Sequence, residues 1–223
     1  MTALPDTRAQ GRSTWTAWLR ERIVHTVPPG QWLPERQPAY MASWIYVFGV
    51  ACLSSLVVVI GSGCVLAVGG AAWWHTNSLG HFVNSVHLWS VELFFATMVI
   101  HIWGKFAMAA WRGHRGMTWL TGALAFFGSV GTAFTGYVIQ GNMDSQWIAS
   151  QAKDGLNAAF VGSRFNVLNF GQMLLWHVTL LPLVVGVIVG IHIVLVRRRG
   201  VVPPIGAADP VPALSGTAAQ EED

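Results

Sequence analysis

Charge is scarce in this 223-residue chain: Asp, Glu, Lys and Arg make up only 10% of it. Soluble domains carry about a quarter, so the shortage argues against a water-exposed globule. Hydrophobic residues supply 53% and mean hydropathy is +0.48. Together with long apolar runs, these values mark an integral membrane protein. Cysteine is nearly absent. Cys52 and Cys64 lie within one apolar run, where they read as buried packing residues and not as a disulfide. The first eleven residues are polar and lack the basic start, apolar run and small-residue cleavage site of a signal peptide. Net charge is only +3, and the basic residues sit at the ends of apolar runs, so no nucleic-acid partner is expected. Tryptophan, by contrast, is plentiful. Twelve residues suit belts at the membrane interfaces and packing against a flat apolar group.

Two stretches organise the rest, Ser85–Lys105 and Trp176–Val196. Each is long enough to cross a bilayer. Each carries two histidines: His87 and His101, 14 residues apart, and His177 and His192, 15 apart. At ~3.6 residues per turn, 14 residues brings a side chain back to nearly the same face, and 15 adds a further turn of about 100°. The rise is roughly 21 to 23 Å, most of the ~30 Å hydrocarbon thickness. Each helix therefore offers one histidine near each membrane face. Imidazole is a strong axial ligand for haem iron, and helix bundles build such sites from facing helices. Two matched ladders can hold two haems, one above the other. The plainer alternative is four separate polar residues satisfied locally, but ionisable groups at membrane depth are costly and default to function. No C-x-x-C-H occurs, so covalent attachment by that motif is not expected.

The fold expected is an all-α membrane protein, a four-transmembrane-helix dihaem bundle. Residues 1–41 form an N-terminal segment. Within it Trp15, Trp18, Leu19 and Ile23 recur at helical spacing opposite Arg20 and Glu21, which predicts an amphipathic surface helix over Arg12–Val24. An ordinary partner-facing helix is the alternative there. Pro28, Pro29, Pro34 and Pro38 follow as an extended connector. Residues 42–199 form the bundle: helix A over Ala42–Val68, a short loop Gly69–His81, helix B over Phe82–Trp111, helix C over Met117–Ile139, a long loop Gln140–Asn169, and helix D over Phe170–Val196. In the short loop Trp73, Trp74, His75 and His81 read as interfacial, with an exposed metal site as the weaker option. In the long loop Trp147, Ile148, Leu156 and Phe160 suit the apolar faces of short surface helices. Pro182 predicts a local bend in helix D. Residues 200–223 are expected to be a disordered tail. Gly49 and Gly63 in helix A, and Gly122 and Gly136 in helix C, are each 14 apart. Glycine there admits close approach of a flat ligand or, as readily, of another helix.

Eleven of the thirteen basic residues fall in the N-terminal segment, the B–C connection and the tail. The positive-inside rule then predicts both termini in the cytoplasm. Helices B and D run in the same direction, so His87 pairs with His177 at the outer level and His101 with His192 at the inner one. Glu92, the one acid in these spans, falls between the two levels and reads as a protonated or hydrogen-bonded structural group. A metal transporter would add carboxylates or thiolates near its histidines.

These residues resemble the N-terminal half of cytochrome b of quinol-oxidising bc complexes, and more closely its split form, cytochrome b6, over about residues 40 to 205. The marks are the two histidine spacings, the glycine pairs, Thr118-Trp119-Leu120-Thr121-Gly122, Gly136-Tyr137, Leu181-Pro182 and Val196-Arg197-Arg198-Arg199-Gly200. The resemblance implies two non-covalent b haems on His87/His177 and His101/His192. It implies Gly49, Gly63, Gly122 and Gly136 packed against them, with Lys105 placed to meet a propionate. It implies electron transfer across the membrane with quinone or quinol as substrate. The partners implied are membrane lipid, a Rieske-type iron–sulfur or cytochrome c subunit, and a second membrane subunit supplying the C-terminal half of cytochrome b; a homodimer is allowed. The location implied is a prokaryotic-type cell membrane.

The sequence departs from the family in three places. Gln140-Gly141-Asn142 stands where the family has a Pro-Trp element beside the outer quinol site, and reads as a flexible polar stretch. Asn84 stands three residues before the first ligand, where the family has arginine. Val47 replaces the cysteine that holds an extra haem in cytochrome b6. The leading reading is therefore a dihaem electron-transfer subunit that does not turn over alone. The alternative is a dihaem anchor relaying electrons between a quinone pool and a partner dehydrogenase or reductase. A non-redox transporter or structural subunit is the third.

Overall fold

The computed structural model describes residues 14–26 and 38–205. Two units are distinguished, residues 1–37 and residues 38–223. In the first, helix α1 spans Trp15–Thr26 and none of its residues is buried. Trp15, Trp18, Leu19 and Ile23 are exposed on it. Arg12, Pro28, Pro29 and Pro34 lie outside the described residues.

The second unit is all helical among the described residues. Two 3-10 turns, Ala39–Ala42 and Trp44–Tyr46, lead into α2, Val47–Thr76. Then come α3 (Ser78–Ala107), a 3-10 turn Gly113–Arg115, α4 (Gly116–Val138), α5 (Met143–Ala158), α6 (Phe170–Leu175), a π turn Trp176–Leu180, and α7 (Leu181–Arg199). Four stretches are long and apolar enough to cross a membrane: Trp44–Thr76, Ser78–Ala107, Gly113–Val138 and Phe170–Arg199. The protein is a multi-pass integral membrane protein.

The long helices pack as two pairs, α2 along α3 and α4 along α7, and the pairs touch each other far less. Asn77 alone separates α2 from α3. Its side chain caps α3 by accepting from Leu79 N at 2.9 Å and Gly80 N at 3.3 Å, satisfying donors the first turn leaves orphaned. Gly80 makes this tight reversal possible, because a Cβ there would lie 2.8 Å from Trp74 Cα.

The loop expected over Gly69–His81 is thus mostly helix. The helical backbone does break where the sequence suggested, at Gly70 with φ 77° and ψ 167°, a region open to glycine. The chain then resumes one more helical stretch. Helix B correspondingly starts earlier and ends earlier than Phe82–Trp111. The long loop holds one 16-residue helix, α5, capped by the Asn142 side chain on Ser145 N at 2.8 Å. Gln140-Gly141-Asn142 is therefore no flexible stretch. Gly141 takes φ 71°, its carbonyl accepts from Gln146 Nε2 at 2.9 Å, and Asn142 starts the helix. Leu156 packs onto a core of Ile139, Val167 and Met173, which ties α5 and the loop to the end of α4. Trp147 and Phe160 stay exposed.

The disturbance expected from Pro182 takes the form of a π turn. Proline has no N–H, and its ring collides with the carbonyl four residues back in a regular helix. In the preceding turn Leu181 N–H instead bonds Trp176 O, five residues back. Two further expectations are corrected. Residues 201–205 are not a loose tail: Tyr46 Oη donates to Val202 O at 2.8 Å and Tyr40 Oη to Val201 O at 3.3 Å, and Val202 is buried. Residues 206–223 lie outside the described set. Of the cysteines, both free, Cys64 is exposed and only Cys52 is partly covered.

Candidate functional site

Each of the four histidines, His87 and His101 on α3, His177 in the π turn and His192 on α7, rests against one glycine. A Cβ on Gly63 would stand 3.2 Å from His87 Cε1, one on Gly49 3.2 Å from His101 Cε1, and one on Gly122 3.1 Å from His192 Cε1. At Gly136 the fit to His177 is tighter still. The two 14-residue glycine pairs therefore admit the side chains of the histidines, and the alternative of plain helix-on-helix packing does not describe them.

Three of these seats also hold the ring by Nδ1. His87 Nδ1 lies 3.1 Å from Val59 O and 3.0 Å from Ser62 Oγ. His177 Nδ1 lies 2.9 Å from Thr132 O and 3.5 Å from Thr135 Oγ1. His192 Nδ1 lies 3.0 Å from Thr118 O and 3.2 Å from Thr121 Oγ1. A carbonyl oxygen only accepts, so Nδ1 carries the proton in each. The hydroxyls donate their own hydrogens to backbone carbonyls of their helix, as Ser62 Oγ does to Val58 O at 2.7 Å. Their lone pairs are thereby left for Nδ1–H. With Nδ1 protonated, Nε2 keeps its lone pair, and orientation of a metal-binding histidine by such a second bond is the usual arrangement. The serine or threonine directly before the glycine is a supporting residue that the histidine spacing does not reveal. The dipeptides Ser62-Gly63, Thr121-Gly122 and Thr135-Gly136 are its signal in the sequence.

His87 and His177 meet across the two helix pairs. The rings of His87 and His177 have centroids 6.2 Å apart with planes at 89°. An imidazole nitrogen binds a metal at about 2.0–2.1 Å, so one metal atom held between two rings needs roughly 6 Å between centroids. His101 lies within electrostatic reach of His192 and Lys105. No cluster of three or more His, Cys, Asp or Glu side chains able to hold a metal occurs among the described residues, His75 and His81 included. Two imidazoles suit a metal that brings its other ligands with it, as haem iron does in its macrocycle. The glycine seats and fixed Nε2 lone pairs of this chain fit that group.

Lys105 makes no ion pair with an acid among the described residues. Its Nζ sits 4.0 Å from the centre of the Tyr46 ring and 3.9 Å from Met108 Sδ. Beside it, Ser43, Ile45, Tyr46, Ala107, Met108, Pro204 and Ile205 line a cavity of about 300 Å³. Glu92 is exposed and makes no hydrogen bond or ion pair with a described residue. Asn84 is half-buried, and Val47 is exposed at the start of α2.

A profile of the family described as cytochrome b (N-terminal)/b6/petB matches residues 92–218, more than half of the chain. The chain belongs to this family. His101, His177, His192, Gly122 and Gly136 fall within the matched stretch, whereas His87, Gly49 and Gly63 rest on the geometry above. The chain is 26% identical over 218 residues to the cytochrome b subunit of a cytochrome bc complex from Chlorobaculum thiosulfatiphilum, covering 87% of this chain and 51% of that one. It is 25% identical over 201 residues to the cytochrome b subunit of menaquinol:cytochrome c reductase from Bacillus subtilis (strain 168), covering 78% of this chain and 88% of that one. Among solved structures, a chain of a hyperthermophilic respiratory Complex III superposes with a TM-score of 0.66 at 22% identity, over 83% of this chain and 54% of that one; this likeness speaks to the fold. The chain thus spans about half the length of the Chlorobaculum relative and of the solved chain.

Proposed function

We propose that this chain is the dihaem b-type cytochrome subunit of a quinol:cytochrome c reductase-type membrane complex. The observation that supports it most is the set of four glycine-seated histidines, two on α3, one in the π turn and one on α7, with Nδ1 engaged in three of the four rings. When bound, haem iron supplies one-electron transfer between its ferric and ferrous states. The chain's part is positional. Val59, Ser62, Thr132, Thr135, Thr118 and Thr121 fix ring orientation, the glycines admit the rings, and the apolar spans keep water and ions from the path. His87 and His177 serve the outer level, His101 and His192 the inner one, with both termini on the cytoplasmic side. A quinone would approach the inner level, beside the His101/His192 haem. Family membership makes haem b the expected form.

The first test is stoichiometric. Pyridine haemochrome analysis of the purified chain should give about two b haems per chain, both extractable by acid acetone. A value near zero, or haem retained by the denatured polypeptide, would overturn the proposal. A second expectation concerns turnover. The Gln140–Asn142 turn is spent on capping α5 and offers no stiff apolar wall, so an outer quinol site needs a second membrane subunit and a Rieske-type or cytochrome c partner. Supplied with a short-chain quinol and a cytochrome c acceptor, the isolated haem-loaded chain should show haem reduction without sustained turnover. Sustained turnover would argue against that dependence. The same turn favours the second reading, a dihaem anchor for a partner dehydrogenase or reductase.

A further inference from the structure

The four histidine seats are built to one plan, and one of them is incomplete. In three seats Nδ1–H meets the carbonyl four residues before the glycine (Val59, Thr118, Thr132) and the hydroxyl directly before it (Ser62, Thr121, Thr135). In the fourth, the Gly49 seat, His101 Nδ1 is buried and has no hydrogen-bond partner among the described residues. The seat itself has the dimensions of the others: a Cβ on Gly49 would stand 3.4 Å from His101 Nδ1, against 3.6 Å for Gly63 and His87 Nδ1.

What differs is the lining. The residue before Gly49 is Phe48, which has no acceptor and whose ring stacks edge-on against Trp44 at 5.7 Å. The residue four before it is Ile45, which sits in the 3-10 turn Trp44–Tyr46 and not in α2, with its side chain packed on Gly104. A 3-10 turn is wound more tightly than an α-helix, so its carbonyls are not presented as they are at Val59, Thr118 and Thr132.

We infer that Phe48 is a tuning residue for the His101 site: by denying His101 Nδ1–H an acceptor, it holds this imidazole as the least electron-donating of the four ligands. A hydrogen bond from Nδ1–H raises ligand basicity. A more basic ligand favours the ferric over the ferrous ion, so supplying the bond lowers the reduction potential and removing it raises the potential. Phe48 acts through His101 and touches no reacting atom; it is a positioning residue. The inference rests on the dihaem reading.

The test is a redox titration of the haem absorbance in the full-length chain. The component that disappears in His101→Ala identifies the His101/His192 site. Phe48→Ser should move that component to lower potential, on the order of a tenfold change in its reduction equilibrium, or about 59 mV for one electron. The other component should stay in place. Phe48→Leu, which adds no acceptor, should move neither. Phe48→Thr, which places before Gly49 the residue type that precedes Gly122 and Gly136, should move the same component the same way, and it keeps the test decisive where Phe48→Ser fails to load haem. If Phe48→Ser and Phe48→Thr shift both components alike, or neither, the inference falls. If the wild-type chain binds no haem, the dihaem reading falls first, which is a different outcome.

Discussion

Replacing His87 or His177 with alanine should remove one of the two haem signals and leave the other, and His101→Ala or His192→Ala should remove its counterpart. The His87 ring on α3 and the His177 ring in the π turn are 6.2 Å apart, and no third metal-binding side chain joins them among the described residues, so neither has a second imidazole to take over. With one imidazole gone, the site would keep a single histidine to hold the haem, and haem content should fall by about half. The reduced-minus-oxidised spectrum and a redox titration distinguish the components. His87→Ala paired with His177→Ala must abolish the same component, and His87→Ala with His101→Ala must abolish different ones. If His87→Ala and His101→Ala removed the same component in folded protein, the pairing across the two helix pairs would be wrong.

This arrangement was legible in the sequence because helical periodicity is simple arithmetic. Spacings of 14 and 15 put each pair of histidines on one side of its helix, and the 14-residue glycine pairs followed the same period. The four spans were legible from apolar length. The boundaries were not, for identifiable physical reasons. Gly69-Gly70 reads as a helix stop, and Gly70 does break the helix, but Trp73 and Trp74 belong to a further helical stretch closed by Asn77. The reversal at Gly80 depends on contact between two backbones, which no local pattern announces. Pro182 told of a disturbance in helix D, while its form as a π turn over Trp176–Leu180 depends on how the neighbouring carbonyls are placed. Gln140-Gly141-Asn142 looked flexible by composition, yet Asn142 caps α5 and Gly141 O accepts from Gln146.

The hydroxyls that steady the rings are a different kind of omission. Ser62, Thr121 and Thr135 are visible in the sequence, but small polar residues within apolar helices have an ordinary role. They return their hydroxyl hydrogen to the carbonyl three or four residues back, as these three do. Their second role appears only when a histidine from another helix arrives at the same place. The histidine ladder alone therefore points to ligands, and the ladder together with the residue before each glycine points to how firmly each ligand is held.

Gly136→Ala should cost the chain the haem held by His177, while Gly131→Ala on the same helix should cost it none. Both substitutions add one methyl group to α4, and both positions have helical backbone, so conformational freedom does not separate them. Space does. A Cβ on Gly136 would lie 2.8 Å from His177 Nδ1 and 3.0 Å from its Nε2, whereas one on Gly131 meets nothing within 4 Å. His177 cannot give way cheaply. Its Nδ1 is bonded to Thr132 O at 2.9 Å, on the same helix as the intruding methyl, and its backbone lies in the π turn. A displacement of even 1 Å breaks that bond and swings Nε2 off the line to His87. Buried polar groups that lose a partner cost about 1–3 kcal/mol, and loss of a ligand-orienting bond typically costs 10–100-fold in metal affinity. Haem content and the amplitude of the His87/His177 component measure the effect. Gly122→Ala should do the same to the His192 site, with a milder loss, since the approach to His192 Cε1 is 3.1 Å. Retention of both haems at full occupancy in Gly136→Ala would show that the glycine seats do not position the histidines.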